Sequence, residues 1–440
     1  MKSIIAMGEG SSGRYGELIM DEERTLILGM DLCDGSLQLA YLDEKGEMVS
    51  VSPLGNDAGK YRIPTALCTD PQYRQWYCGA DAQKLKGREG IVYCDDLIER
   101  AKNYDGEPVL GGLTPTALFT HYFRMVLTAL RDKTGGQIIK GLTVSVKQDD
   151  IAAVPVIKDA FAQLGIEDDR LSVITHPEAF MNYVVSQKRD IWINDVGLFY
   201  LSADAFEYYR LTFGKKQGPI CVVTEKNDLS SYLDGAAVVA GETKNAVNDF
   251  KEAVSKMINK QMVSALYFTG PGFESAWADD VLKGLCTGRR IFRGQNLFVK
   301  GSGYKARRVF AQEEDDEQFV YIAPDALKSS ISLKAYKDGG YEEELLADIS
   351  TPYSEASKTV EVIMDGTNEL DLIVHNVLKK DFVCAIMTLD NLEERTDKSE
   401  RLSITLSFVD RDTCVITVRD IGFGEIRDTT YRIWEQILKI

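Results

Sequence analysis

"LILGMDLCDGSLQLAYL" (26–42) is an apolar strand that runs into Asp31, turns through Cys33-Asp34-Gly35-Ser36 and returns as a second, alternating strand. Two readings are open. A strand delivering one carboxylate to a glycine-bearing turn suits a hairpin that holds a nucleotide phosphate and its metal. It equally suits a hairpin with a polar tip. Recurrence weighs between them: "VGLFYLSADAFEYYRLTF" (196–213) is again strand, turn and strand.

The segments after each hairpin also correspond. A third strand is expected at 47–52, and "YRIPTALCTD" (61–70) is a short edge strand with Pro64 at a strand end, where a missing N–H is tolerated. Thr114-Pro115 caps a helix carrying Leu118, Tyr122, Met125, Val126 and Ala129 at helical spacing. "GLTVSVK" (141–147) is a strand, a helix stops at Gly165, "LSVIT" (171–175) is a strand, and "HPEAFMNYVVSQ" opens a helix. After the second hairpin come the strand "PICVVTE", the amphipathic helix "TKNAVNDFKEAVSKMINK" (243–260) and the strand "SALYFTG" (264–270). "PGFESAWADDVLKGL" is a turn and helix, and "QNLFVKGSGYKARRVF" a glycine-broken helix. Three meandering strands followed by helix, strand and helix thus occur twice, near 25–190 and 191–312. Two such copies can face each other across a cleft.

The texture changes after the acidic break "QEEDDEQ" (312–318). "SSISLKAY", "KTVEVIMDG", "LDLIVHNV", "FVCAIMTL", "RLSITLSFVD" and "TCVITVRD" are short alternating strands, the pattern of an antiparallel β-sandwich over 318–427. A brief helix, "TTYRIWEQILKI", is expected within 428–440, and residues 1–24 read as a loosely held arm.

Composition excludes several classes. The 440 residues carry a net charge of −17, a field that repels nucleic-acid backbones. The 8 cysteines form no CxxC pair, which speaks against a zinc site and fits free thiols in a reducing cytoplasm. "IIAM" is too short for a signal segment, and no long apolar run points to a membrane. His121 and His375 read as structural residues.

This order of elements resembles the superfamily of actin, the sugar kinases and the seventy-kilodalton heat-shock chaperones. The chaperones also place a β-sandwich behind a duplicated domain. The resemblance implies an α/β fold: a duplicated actin-like ATPase (ribonuclease H-like) body of two lobes, 25–190 and 191–312, the second with a reduced outer subdomain. It places the first phosphate hairpin at 29–36, with Asp31 on the metal side, and the first connecting element at "HPEAF" (176–180). The second hairpin falls at 200–209, the adenosine turn at "TGPGF" (269–273) and the second connecting element at "VKGSGYKA" (299–306). "FVYIAPDALKSSISL" (319–333) stands where the chaperones carry an apolar interdomain linker.

Nucleotide candidates on this reading are Asp31, Asp34, Gly35, Ser36, Ala203, Asp204, Gly270, Gly272 and Gly301, with Asp31 the metal candidate. Glycines at a strand-to-helix turn such as 270 and 272 have a bland explanation too, since any such turn favours them. The family's catalytic positions are substituted. Its lysine falls at Asp95 or Asp96, the first connecting carboxylate at His176, and the second hairpin's aspartate at Tyr200. Ser202, Ala203, Asp204 and Ala205 replace glycines and a threonine whose backbone would approach phosphate. Asp204, with Asp34 opposite, would repel phosphate by roughly 4 kcal/mol at about 4 Å in a partly desolvated site. A divalent ion would reverse that sign, so both an acidic cleft and a metal-holding one stay open.

The expectation is a chaperone-like protein- or peptide-binding protein whose nucleotide domain is degenerate and does not hydrolyse, with no cofactor. One alternative is a weak ATPase or nucleotide sensor using ATP or ADP with Mg²⁺; another is an actin-like assembly scaffold. The partner is expected to be protein or peptide, not nucleic acid or membrane.

Overall fold

The computed structural model describes residues 25–33, 35–54, 61–108, 110, 112–214, 219–311, 318–337, 339–379 and 381–440. The expected arm at 1–24, Asp34 and most of the acidic break lie outside these residues. The chain is a mixed α/β protein built on several sheets.

The first sheet runs Met48–Val51, Ser36–Leu42, Thr25–Cys33, Ile138–Val146, Leu171–Thr175. The hairpin strands pair antiparallel, while Thr25–Cys33, Ile138–Val146 and Leu171–Thr175 pair parallel. Thr25–Cys33 is buried along nearly its whole length, which is why it reads as a continuous apolar run. Helix Pro115–Lys133 covers this sheet with Leu118, Phe119, Tyr122, Phe123 and Val126, all fully buried. It begins where Thr114 Oγ1 accepts the Ala117 N–H at 3.3 Å.

The second sheet runs Arg290–Arg293, Val263–Thr269, Asp195–Leu201, Phe206–Phe213, Ile220–Asp228, Phe319–Ile322. Again the first strand in sequence is central, with an antiparallel hairpin on one side and a parallel strand on the other. Its outer face packs against helix Ala246–Ile258 through Phe199, Phe206, Phe250 and Phe268. A small sheet of Leu67–Asp70, Gln75–Cys78 and Val92–Cys94 was foreseen only in its first strand. The other two are short and half-exposed, with little alternation to read.

Two of the expected helices differ in the structure. Leu297–Phe310 is one continuous helix, not a glycine-broken one. Gly301 and Gly303 each cost helix propensity of about 1 kcal/mol, but they let the helix cross close to its neighbours. A Cβ on Gly301 would lie 2.0 Å from the Ala179 carbonyl oxygen in helix His176–Val185. The expected C-terminal helix is instead the strand Ile433–Lys439. Its apolar spacing fits either period over so few residues, and the free edge of Thr413–Asp420 selects the strand, pairing Trp434 with Val418 and Leu438 with Cys414.

Residues 329–439 form two four-stranded antiparallel sheets. They share a core of Ile331, Leu333, Leu372, Leu402, Ile404, Leu406 and Ile416. The stretch read as a linker, 319–333, instead opens with the strand Phe319–Ile322, added parallel to Ile220–Asp228, and ends inside the strand Ser329–Lys337. Arg411 fastens the same junction, its Nη1 donating to the Thr224 carbonyl at 2.8 Å and the Pro324 carbonyl at 3.0 Å.

Among the cysteines, Cys286 and Cys384 are exposed and Cys33, Cys68, Cys78, Cys94 and Cys414 are buried. Burial pushes the Cys78 and Cys94 thiols up to about 11 and Cys414 to about 12, from an ordinary 9.0. These thiols hold their protons more tightly folded than unfolded. Their stabilising share is therefore complete below pH 9.0 and is lost as pH rises toward 11. Urea midpoints should fall between pH 9.0 and 11, and maleimide at neutral pH should label Cys286 and Cys384 first. A flat alkaline profile would contradict this.

Candidate functional site

The central strands of the first two sheets meet end to end, and the crevice between them is filled by side chains. Asp31 lies between Gln38 and Ser145 in register, 5% exposed. Its Oδ1 accepts from the Ser145 hydroxyl at 2.8 Å and contacts His176 Nε2 at 2.8 Å. His176 is held there because it opens helix His176–Val185, with Pro177 setting the first turn. Its ring stacks on Phe298 with centroids 3.8 Å apart and meets Tyr200 edge-on at 6.0 Å. The Tyr200 hydroxyl lies 3.4 Å from Cys33 Sγ.

Further bonds tie the two sides. Gln38 Nε2 donates to the Gln295 carbonyl at 3.0 Å, and Arg62 Nη2 to Gln295 Oε1 at 3.1 Å. Gln295 Nε2 donates in turn to the Gly270 carbonyl at 3.0 Å. Asp31, Cys33, Ser36, Tyr200, Gly270 and Phe298 are among the residues lining the space left, whose volume is about 10 Å³. That holds one water at most, against the several hundred Å³ of a small-molecule pocket.

Three backbone donors around the second hairpin's turn are already engaged. The Ser202 N–H donates to the Ala205 carbonyl at 2.8 Å, the Ala205 N–H to Ser202 Oγ at 3.2 Å, and the Phe206 N–H to Ser230 Oγ at 3.1 Å. Asp204 is not the unpaired charge the sequence suggested, for Lys147 Nζ lies 3.2 Å from both its oxygens. Burial pushes the Asp204 carboxyl up, but the Ser202 hydroxyl and the Lys147 ammonium outweigh it and hold the group below its ordinary value. Ala203 is exposed at the tip.

The glycines have packing reasons. Gly270 has φ +101°, and a Cβ there would lie 2.4 Å from the Leu201 carbonyl oxygen. A Cβ on Gly272 would lie 2.3 Å from Leu201 Cγ. Gly35 has φ +66° with open space around it, as its turn requires.

The structure therefore brings together Asp31, Ser36, His176, Tyr200 and Gly270, and leaves Asp95 and Asp96 apart. Asp95 pairs with Lys86 at 2.8 Å and Asp96 with Arg100 at 2.7 Å. His121 stacks on Trp76 with centroids 4.2 Å apart, and His375 lies 3.4 Å from Glu343. Ser145, Lys147, Arg62, Gln295 and Phe298 were not singled out from the sequence. The signal for two of them was Thr143, Ser145 and Lys147, polar at every second position of a buried strand. Among the described residues no group of three or more His, Cys, Asp or Glu is placed to hold a metal. No helix among them is long and apolar enough to cross a membrane.

Residues 47–324 match the family described as "Family of unknown function (DUF5716) C-terminal". The chain belongs to the DUF5716 family. Residues 326–440 match a second description, "Domain of unknown function (DUF8552)". The DUF5716 match takes in the first sheet outside its hairpin, all of the second and the crevice residues from Arg62 onward, while the hairpin with Asp31, Cys33, Ser36 and Gln38 precedes it. No curated protein matches the chain.

Proposed function

We propose that this DUF5716 protein is a protein-binding relative of the actin and heat-shock chaperone group, in which the ancestral nucleotide cleft has become a rigid joint. The observation that carries the reading is Asp31, whose carboxylate is engaged by His176 and Ser145 beside a space of about 10 Å³. A metal-bound triphosphate needs free oxygen ligands, free backbone donors and a cation for developing charge. Here the Asp31 carboxylate is taken by Ser145 and His176, and the Lys147 ammonium by Asp204.

The shared strand order of the two main sheets supports a duplicated actin-like body, with lobes at 25–190 and 191–312, followed by the two four-stranded sheets of 329–439. Eight free cysteines support a cytoplasmic setting. No cofactor is proposed. The partner is an extended protein segment taken by the sandwich through backbone pairing at a strand edge. Val383 and Ile386 on the edge strand Val383–Thr388, with Phe382 just before it, are exposed and support this. The Thr413–Asp420 edge is not open to such a segment, because the strand Ile433–Lys439 occupies it.

The test is peptide-array binding and phosphate release by the full chain, with and without Mg·ATP. Binding should be unchanged by ATP, weakened at least about fivefold by Val383→Asp with Ile386→Asp, and accompanied by no hydrolysis above background. Turnover abolished by Asp31→Ala would favour the weak-ATPase alternative. Partners unaffected by the sandwich substitutions would favour the scaffold alternative, which the Arg411 clamp also suits.

A further inference from the structure

Strands Asp195–Leu201 and Val263–Thr269 deliver Tyr200 and Thr269 to the crevice at their carboxyl ends. At their amino ends, beside Arg290–Arg293, lies a separate cavity of about 540 Å³. Asn194, Gln261, Met262, Ser264, Arg289 and Arg290 help to line it. The size is that of a small-molecule site. Two of the loops that form it hold left-handed residues, Lys260 at φ 59° and Gly288 at φ 78°.

The charges around it do not balance. Arg290 is paired with Asp190 at 2.5 Å. Arg289 Nε and Nη1 are buried and have no hydrogen-bond partner, and neither has Gln261 Oε1. Ser264 Oγ accepts the Asn194 N–H at 2.9 Å, which leaves its own proton to donate. Arg289 lines the cavity with no carboxylate paired to it among the described residues, and carboxylates and phosphates are the groups that suit an unpaired guanidinium. Beside these groups Met262 is 75% exposed and Ile193 62%, an apolar rim to a cationic floor.

The geometry points to a binding site for an oxyanion, carboxylate or phosphate, carried on a small and partly apolar molecule, with Arg289 as its anchor. This site is independent of the crevice and of the sandwich.

The test uses the full chain with phenylacetate and phenyl phosphate as probes and benzyl alcohol as the neutral control. Calorimetry and thermal unfolding are read for the wild type, Arg289→Met and Asp190→Asn. At least one anionic probe should bind saturably and raise Tm, with benzyl alcohol silent; the tighter of the two identifies the anion. Arg289→Met should weaken that binding at least about tenfold, and Asp190→Asn should retain it. Without probe, Arg289→Met should melt at or above the wild-type temperature, because a buried unpaired charge has been removed. If it does not fold, Ser264→Ala should still weaken binding about threefold, because the hydroxyl proton left free by Asn194 is lost. Failure of both anions to saturate at about 10 mM, or wild-type affinity in Arg289→Met, would overturn the proposal.

Discussion

Replacing His176 with alanine is expected to destabilise the protein by about 3 kcal/mol. The Asp31 carboxyl, 5% exposed in the wild type, would keep Ser145 and lose His176. A buried acceptor left short of a donor costs about 1–3 kcal/mol. Loss of the ring stacked on Phe298 at 3.8 Å adds a cavity of comparable cost. Asp31→Asn should cost less, about 1 kcal/mol, since the amide still offers an oxygen to Ser145 or His176. Urea denaturation of both variants measures the difference. If His176→Ala matched the wild type, the Asp31–His176 contact would not be holding the joint.

The second large effect is steric. Gly301→Ala should destabilise by about 3 kcal/mol, and Gly301→Val should prevent folding, because the new Cβ would stand 2.0 Å from the Ala179 carbonyl oxygen. Backbone blocks it, so relief requires the helices His176–Val185 and Leu297–Phe310 to separate. Those helices carry His176 and Phe298, so the same shift would pull apart the filled crevice. Gly303→Ala is the control. Its nearest obstacle is Met48 Sδ at 2.4 Å, a flexible side chain, and about 1–2 kcal/mol is expected. Equal losses at the two positions, read from denaturation midpoints, would contradict the close-crossing account.

The hairpins were legible because their strands combine buried runs with alternation and their turns carry Gly35 or short polar residues. The Thr114-Pro115 start was legible because capping is local chemistry. The Ile433–Lys439 strand was not, since its period is ambiguous and a neighbouring edge decides it. Nor was the continuity of Leu297–Phe310, because glycine reads as a breaker until the helix it must cross is known.

At the site, His176, Tyr200 and Asp204 could be singled out from the sequence, but not their partners. His176 meets Asp31 across 145 positions of sequence, and Lys147 meets Asp204 across 57. Neither pairing leaves a local trace. Asp204 was therefore expected to act as a free negative charge, whereas the fold supplies its counter-ion.

The central claim is that the crevice is occupied by its own side chains and does not take nucleotide. The most direct measurement is calorimetric titration of the full chain with ATP and ADP, each with and without Mg²⁺. The account predicts no saturable binding tighter than about 100 μM, roughly −5.5 kcal/mol. Micromolar, Mg²⁺-dependent binding that disappears in Asp31→Ala would contradict it.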